Sequence, residues 1–205
     1  MKIMITGGAG FIGSHLCDEF VGSGDQVVVI TRDSSTLANL SHLEGKIIVE
    51  RADITDYDHL GAIVEKHKPD TIIHLAGETS HSKSFENPLY DVDTNSKSTL
   101  CILEKIKQLN LKCRFILGST FIVIGRPQEL PVTEQSVCNP TTIYGANRLA
   151  SEVYCKIYHN VYGIDAITFR ITNSFGPREQ FIPSKNAINF LIHKAFKKEP
   201  IPIFD

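Results

Sequence analysis

The chain has 205 residues, with 21 lysines and arginines against 23 aspartates and glutamates and a formal net charge of −2. This length is typical of one ordinary domain. The apolar fraction of 42% excludes the collagen-like and disordered classes. Because there is no basic excess, the composition argues against nucleic acid and acidic membrane surfaces as partners.

Cysteine usage and hydropathy indicate the compartment. The five cysteines are far apart, with no Cys-x-x-Cys pair and no Cys/His cluster at zinc spacing, so we expect reduced thiols and no metal site. Gly7, Gly8 and Gly10 interrupt the apolar start before a secretory signal could form. No run approaches the ~18 apolar residues of a membrane helix. These features predict a soluble, cytoplasmic protein without a membrane segment.

Short runs rich in valine and isoleucine alternate with longer amphipathic segments. The runs lack polar alternation, which is typical of strands buried on both faces of a parallel sheet. Strands are predicted at residues 3–6, 27–31, 46–50, 71–75, 114–117 and 166–170, and helices at 11–22, 56–67, 88–109 and 143–162. This alternation predicts a doubly wound α/β fold with helices on both faces of the sheet.

The first strand is followed directly by the pattern T-G-x-x-G-x-x-G, which opens the first helix. Gly7 allows a tight turn, Gly10 lets the backbone approach a pyrophosphate, and Gly13 allows close packing of helix on strand. The free N–H groups of the first helical turn, at Phe11 and Ile12, would hold the phosphates together with the helix dipole. The pattern predicts dinucleotide binding, with a purely structural glycine turn as the alternative. A nucleoside-triphosphate P-loop is excluded because no Gly-Lys-Ser/Thr follows.

Cofactor choice is predicted at the end of the second strand, where a carboxylate binds a ribose 2′-hydroxyl and a cation favours a 2′-phosphate. Thr31 stands where the acid would be, and Arg32 follows it. This arrangement predicts a preference for NADP over NAD. NAD is the alternative if Arg32 is merely solvated and Asp33 acts as the acid.

A tyrosine and an arginine share one face at the start of the last long helix. Tyr144 and Arg148 are four residues apart, so their side chains lie together. A phenol is a poor base at neutral pH, and an adjacent fixed cation is a simple way to make it a better one. Upstream, Ser119 and Thr120 follow the fifth strand and place hydroxyls at the carboxyl edge of the sheet, where ligands of such folds bind.

An ordered series of motifs runs along nearly the whole chain. It comprises TGGAGFIGSHL at the start, Asp53-Ile54 after the third strand, His74-Leu75-Ala76-Gly77 after the fourth, Pro88 followed by Asn95, Ser119-Thr120 with Gly125 beyond, Asn139-Pro140 before Tyr144, and RITNSFGP at 170–177. In this series the sequence resembles the extended short-chain dehydrogenase/reductase family, in its NAD(P)-dependent nucleotide-sugar epimerase and dehydratase branch. The resemblance implies a Rossmann-type doubly wound parallel sheet.

The resemblance also implies a role for each matching residue. Tyr144 would exchange a proton with a sugar hydroxyl while hydride moves to or from the nicotinamide, and Thr120 would hydrogen-bond the same oxygen. Arg148 stands in the position of a lysine that contacts the nicotinamide ribose. Asp53 and Ile54 would contact the adenine end of the cofactor. The adjoining ribose would be contacted by Leu75, Ala76 and Gly77. Asn173 would contact the substrate.

Several of these residues also have a purely structural interpretation. Thr120 could cap a strand end, and Asp53 could be the N-cap of the following helix. Asn95 is expected to hold backbone rather than ligand, and His74, inside an apolar run, is expected to be a hydrogen-bonded core histidine. His81 lies near the expected nicotinamide site without a base or metal ligand paired to it, so both histidines are left out of the catalytic set.

Two departures from the family pattern limit the transfer of function. Arg148 replaces the lysine of the family; it keeps the positive charge, but its planar guanidinium donates in other directions. Phe121 and Ile122 follow Thr120 where 4,6-dehydratases have Asp-Glu, which leaves an epimerase or a ketoreductase. The second hypothesis is a non-catalytic dinucleotide-binding module or an inactive fragment.

The length, compared with that family, predicts how the chain is divided. Residues 1–180 are expected to form the dinucleotide-binding domain, and 181–205 the start of a substrate-binding portion that is largely missing, with a helix through Lys197 and a strand beginning at Ile201. Members of this branch commonly dimerise through two helices, which here would be 88–109 and 143–162. We therefore expect a nucleotide sugar as a ligand besides the cofactor, and a homodimer.

Overall fold

Six parallel strands form one sheet in the computed structural model, which describes residues 1–182 and 186–201. The order across the sheet is β3-β2-β1-β4-β5-β6, and every neighbouring pair is parallel. The strands are β1 Lys2–Thr6, β2 Gln26–Thr31, β3 Ile47–Arg51, β4 Thr71–His74, β5 Arg114–Thr120 and β6 Ala166–Ile171. Because the order reverses between β1 and β4, their carboxyl ends border a crevice, the usual ligand site of such sheets. The predicted doubly wound parallel sheet is confirmed.

Helices connect the strands on both faces of the sheet. Within the described residues they are α1 Phe11–Gly22, α2 Tyr57–His67, α3 His81–Glu86, α4 Pro88–Val92, α5 Ser98–Gln108, α6 Ile143–Tyr162 and α7 Ala187–Phe196, with 3-10 helices at Ala38–Leu43 and Phe121–Ile124. None of the described helices is long and apolar enough to cross a membrane. The strand predicted to begin at Ile201 lies, beyond that residue, outside the described residues.

Two hydrophobic cores lie on opposite faces of the sheet. One is formed with α2, α5 and α6, and the other with α1 and the 3-10 helix Ala38–Leu43. Successive side chains of a strand point to opposite faces, so Met4 of β1 belongs to the first core and its neighbours Ile3 and Ile5 to the second. This two-sided burial is what uninterrupted apolar runs predict.

The last strand does not follow that pattern. In β6, Ala166 packs against the first core, but Ile167 and Phe169 on the other face are 36% and 58% exposed. The prediction of burial on both faces is therefore wrong for β6. The reason is that α6 packs on the face of Ala166, whereas α7, the helix that follows the strand, has no buried residue.

The helix predicted at 88–109 is also interrupted. It consists of α4, a π-helical turn at Asp93–Lys97, and α5. Ser151 of α6 donates from Oγ to the carbonyl oxygen of Asn95 in this turn, at 2.5 Å. A wide turn of this kind depends on such contacts with a neighbouring helix, and hydrophobic periodicity does not reveal them.

Two further differences lie close to the crevice. β5 continues to Thr120, three residues beyond its predicted end, and its last two residues pair with β6. The short helix α3 was not predicted from the sequence; Ser80 caps it by accepting from the backbone N–H of Lys83. Both differences concern segments that border the candidate site.

Candidate active site

The glycine loop follows β1 at the carboxyl edge of the sheet. Gly7 has φ +72°, which favours glycine, and its N–H donates to the carbonyl oxygen of Ile30 in β2 at 2.9 Å. A Cβ on Gly13 would lie 2.4 Å from the carbonyl oxygen of Gly7, so the start of α1 packs directly against the turn. Gly10 is the N-cap and supplies no side-chain acceptor to the first helical turn. The N–H groups of that turn are thus available to a ligand.

At the end of β2, an arginine that the sequence analysis did not select holds the backbone. Arg51 donates from Nη1 to the carbonyl oxygens of Arg32 (2.7 Å) and Ser35 (2.9 Å). Thr31 is buried at 6% exposure, whereas Arg32 is exposed. Two cationic side chains therefore border the place where a ribose 2′-group is expected, one of them exposed and one fixed to the loop.

The residues after β3 have structural roles. Asp53 accepts through Oδ1 from the N–H and the hydroxyl of Thr55, at 2.9 and 2.8 Å, which makes a turn. The N-cap of α2 is Asp56 and not Asp53, because Asp56 accepts from the N–H of His59. Ile54 is 7% exposed and packs in the core, so only its backbone could meet a ligand.

The segment after β4 forms the opposite wall of the crevice. The N–H groups of Leu75 and Ala76 donate to Thr6 of β1, to its carbonyl oxygen at 3.2 Å and to its Oγ1 at 3.1 Å. A Cβ on Gly7 would lie 3.1 Å from the backbone nitrogen of Ala76. The structure thus brings the glycine loop and the predicted ribose segment, which ends at Gly77, into direct contact.

His74 is a fully buried core histidine, as predicted, and its hydrogen bonds fix its protonation. Ser98 Oγ donates to the carbonyl oxygen of Thr94 at 2.6 Å, so it accepts from His74 Nε2 at 3.1 Å. His74 Nδ1 then accepts from Thr6 Oγ1 at 2.8 Å. Burial, with a smaller contribution from the charge of Arg148, lowers the pKa of His74 to about 3. The ring is therefore neutral.

Thr120 lies at the end of β5, and Tyr144 lies at the start of α6. Thr120 ends β5 and accepts through Oγ1 from the N–H of Ile122 at 3.3 Å, so it caps the following 3-10 helix. Thr142 caps α6, which places Tyr144 in the first helical turn, 6% exposed. A Cβ on Gly145 would lie 3.1 Å from Ile122 Cγ2, so the start of α6 packs on the segment that follows Thr120.

Arg148 lies one helical turn after Tyr144 and is 1% exposed. Its Cζ is 5.9 Å from the centre of the Tyr144 ring. Its Nε and Nη1 have no hydrogen-bond partner, and it forms no ion pair within residues 1–182 and 186–201. The ring of His81, from α3, lies 5.6 Å from the Tyr144 ring. The tyrosine therefore has a buried cation and an exposed histidine as neighbours.

Glu152 continues the face of Tyr144 and Arg148 by one more turn, a spacing from which the sequence could have identified it. It accepts from Ser119 Oγ at 2.6 Å and from Arg170 Nη2 at 2.8 Å. Its carboxylate thus links α6 to the ends of β5 and β6. Within the described residues, no cluster of three or more His, Cys, Asp or Glu side chains could hold a metal ion.

The chain after β6 passes over the start of α1. The ring Nε2 of His15 is hydrogen-bonded to the carbonyl oxygen of Pro177 at 3.0 Å, and Arg178 Nη2 lies 2.6 Å from Asp18 Oδ2. Asn173, predicted to meet the substrate, is exposed in this segment. The structure places it at the carboxyl edge of β6, on the same edge of the sheet as Thr120.

Comparison with known proteins agrees with this geometry. The family model described as GDP-mannose 4,6 dehydratase matches residues 4–204. UDP-glucose 4-epimerase of Mycolicibacterium smegmatis is 35% identical over 182 residues, which are 87% of this chain and 58% of that protein.

Solved structures give the same result. UDP-glucose 4-epimerase of Thermotoga maritima, with UDP-glucose, superposes with a TM-score of 0.90 at 29% identity, over 100% of this chain and 66% of that one. UDP-glucuronic acid 4-epimerase of Bacillus cereus, in complex with NAD, does so with a TM-score of 0.84 at 31% identity, over 100% and 66%. The chain thus spans about three fifths to two thirds of the length of these relatives. It belongs to the extended short-chain dehydrogenase/reductase family, in its nucleotide-sugar epimerase and dehydratase branch.

Proposed function

We propose that the chain is the dinucleotide-binding and catalytic part of an NAD(P)-dependent nucleotide-sugar epimerase or ketoreductase. The observation that carries this proposal is the position of Tyr144. Its ring is buried at the carboxyl edge of a doubly wound sheet, with the cation of Arg148 at 5.9 Å. Relatives named as epimerases support the same reaction class.

The residues present fit a dinucleotide. α1 packs so closely on the loop that there is no room for a side chain at Gly13. Gly10 has no side chain to cover the N–H groups of the first turn, which are open to a pyrophosphate. The Nε and Nη1 of Arg148 are buried donors without an acceptor among the described residues. Phe11, Ile12, Asp53, Ile54, Leu75, Ala76 and Gly77 would contact the cofactor largely through backbone groups.

The chemistry supplied by a bound nicotinamide is reversible hydride transfer. The chain supplies the rest. The Tyr144 oxygen takes the proton of a sugar hydroxyl when that carbon is oxidised and returns it when the carbonyl is reduced. Thr120 donates a hydrogen bond to the same oxygen, and Arg148 places a fixed positive charge beside the phenol. Asn173 would bind the phosphates or the sugar.

The cofactor is proposed to be NADP in preference to NAD. Support for NADP comes from Thr31 in the position of the expected acid and from the two cations Arg32 and Arg51 at the end of β2. The solved relatives give it no support, since those described with a dinucleotide contain NAD. Competition between the two reduced cofactors decides between these lines of evidence.

Several coarser features of the protein are also proposed. Residues 1–180 form the cofactor domain and 181–205 begin a substrate-binding portion. The ligands are a dinucleotide and a nucleotide sugar, and the protein acts in the cytoplasm as a homodimer.

Phe121 and Ile122 replace the Asp-Glu pair expected of 4,6-dehydratases, which favours epimerisation or ketone reduction over dehydration.

A second candidate function is favoured by one specific observation. Arg148 is 1% exposed without a ligand, so its guanidinium is not directly accessible to a cofactor ribose. A chain that binds the dinucleotide but does not catalyse a reaction would tolerate this replacement of lysine. This candidate predicts cofactor binding without turnover for every nucleotide sugar.

The experiment that tests the proposal has two stages. Binding of NADPH and NADH to the full chain is measured by fluorescence, and nucleotide sugars are then screened for a change in nicotinamide absorbance or for an epimerised product. Turnover that is lost in Tyr144→Phe supports the enzyme. Binding without turnover, with no gain in Arg148→Lys, favours the non-catalytic module. Failure to bind either cofactor contradicts both.

A further inference from the structure

Arg148 is the largest fully buried side chain in the described part of the chain. A buried guanidinium without an ion-pair partner is strongly destabilising unless the surrounding structure is shaped to hold it. The atoms that surround this guanidinium therefore determine whether α6 can carry an arginine at this position.

Gly77 lies beside the guanidinium and leaves space there because it has no side chain. A Cβ on Gly77 would lie 2.4 Å from Arg148 Nη2, 3.3 Å from Arg148 Cζ and 2.3 Å from Asn95 Oδ1. Gly77 is not among the glycines with positive φ, so its backbone conformation is open to any residue. Glycine is needed here for space rather than for its conformational freedom.

Asn95 cannot move away from this contact without losing other bonds. It is fully buried, its Nδ2 donates to the carbonyl oxygen of Glu78 at 2.9 Å, and its own carbonyl oxygen accepts from Ser151 Oγ at 2.5 Å. The position that a Gly77 side chain would occupy is therefore bordered by the guanidinium of Arg148 and by the fixed carboxamide of Asn95.

We propose that the missing side chain of Gly77 forms a guanidinium site for Arg148, and that the residue at position 77 determines which cation is better tolerated at position 148. A lysine ends one atom earlier than an arginine, so its nitrogen would lie near the present position of Cζ, 3.3 Å from a Cβ at position 77 instead of 2.4 Å. Glycine at position 77 permits arginine at 148, and an alanine at position 77 is less unfavourable beside lysine than beside arginine. The packing is tested without any cofactor; only its effect on cofactor affinity rests on the proposed function.

The test is a double-mutant cycle in the full chain, with Gly77→Ala, Arg148→Lys and the combination of both. Thermal unfolding is measured without cofactor. Gly77→Ala is expected to lower Tm by several degrees because it overpacks a buried contact. In the Arg148→Lys background the same substitution should lower Tm by less, because the 2.4 Å contact with Nη2 is removed. The rescue is incomplete because Asn95 Oδ1 still lies within 2.3 Å of the new Cβ.

Gly118→Ala is the matched control. A Cβ there would lie 2.6 Å from Leu75 Cδ2, at the same sheet edge but away from the guanidinium. Gly118→Ala should therefore lower Tm equally in both backgrounds. If Gly77→Ala also lowers Tm equally in both backgrounds, the guanidinium site is refuted. If Gly77→Ala alone is insoluble, a soluble double variant supports the site, and an insoluble double variant beside soluble Arg148→Lys refutes it.

Cofactor affinity is the second measurement, because a contact with a purely structural role would not change the Kd of the cofactor. Gly77→Ala should raise the Kd of the reduced cofactor by about tenfold, which is about 1.4 kcal/mol, and Arg148→Lys should reverse most of that rise. A coupled loss of Tm with no cofactor binding in any variant, wild type included, would uphold the guanidinium site and reject the proposed function. If the effect of Gly77→Ala on Tm depends on the residue at 148 but its effect on the Kd does not, position 77 has no part in cofactor binding.

Discussion

The Cζ of Arg148 lies 5.9 Å from the centre of the Tyr144 ring, one helical turn away on the same face of α6. Both side chains are buried, at 1% and 6% exposure. Charge acts over this distance more strongly in a buried site than in water. The two side chains are therefore buried neighbours on one helix face, and the first prediction tests the tyrosine.

Tyr144→Phe is expected to reduce turnover of a nucleotide sugar by roughly 10²–10⁴-fold, because it removes the group that exchanges the proton. The Kd of the cofactor should stay nearly unchanged, since the ring and its packing remain. Steady-state kinetics and cofactor fluorescence measure the two effects. Tyr154→Phe, on the same helix at a partly buried position packed against the first core, is the control; equal loss in both variants would contradict the assignment.

Gly13→Ala is expected to destabilise the chain by about 1–3 kcal/mol, because the new Cβ would lie 2.4 Å from the carbonyl oxygen of Gly7. Gly22→Ala, at the other end of α1, meets no atom within 4 Å and should be neutral or slightly stabilising. Urea unfolding compares the two variants. Equal stabilities would show that the loop can widen without cost.

Stability should fall in mild acid because of His74. Its pKa is lowered from 6.5 to about 3 in the folded chain, so the unfolded chain binds the extra proton first. The contribution of the neutral ring is complete above pH 6.5 and is lost as pH falls from there towards 3, at about 1.4 kcal/mol per pH unit.

Urea unfolding between pH 7 and pH 5.5 measures this dependence. His74→Gln should flatten it, whatever its effect on stability at pH 7. His59→Gln, which changes an exposed histidine of α2, should leave it unchanged. A slope that persists in His74→Gln would assign the acid sensitivity to another group.

Arg32→Ser is expected to raise the Kd of NADPH by about 10–100-fold, the effect of losing one charge-assisted hydrogen bond to a 2′-phosphate. The Kd of NADH should change little. Arg126→Ser, an exposed arginine on the loop after the 3-10 helix Phe121–Ile124, is the control. Tighter binding of NADH than NADPH by the wild-type chain would reject the NADP preference.

Ile157→Glu is expected to convert the proposed homodimer to a monomer, as measured by light scattering. Val153, Ile157 and Val161 follow one another at four-residue spacing on the outer face of α6, at 45%, 44% and 65% exposure. Lys156→Glu, at an exposed polar position beside them, should leave the dimer intact. A monomeric wild-type chain would reject the homodimer itself.

The sequence was sufficient to predict the strands and helices whose hydrophobic pattern is uninterrupted. The strands β1, β2 and β4 have apolar centres, and the structure buries those centres on both faces of the sheet, as uninterrupted apolar runs predict. His74 was identified as a structural residue because it lies within an apolar run, and Asn95 because the family resemblance indicates that it holds backbone; their hydrogen bonds confirm both.

What the sequence did not reveal depends on contacts between distant segments. The role of Arg51 arises from the pairing of β2 with β3, which brings its side chain to the backbone of residues 32–35. Burial of Arg148 arises from the space left by Gly77, 71 positions earlier in the chain. Neither local propensity nor spacing carries this information.

The π-helical turn at Asp93–Lys97 allows α4 and α5 to face different neighbours, which one continuous helix would not. An added residue corresponds to about 100° of rotation around a helix axis. α5 can therefore keep its apolar face on the sheet while α4, and with it α3 and His81, is turned towards the site. Single-residue insertions and deletions at this turn would therefore rotate the border of the candidate site relative to an unchanged core.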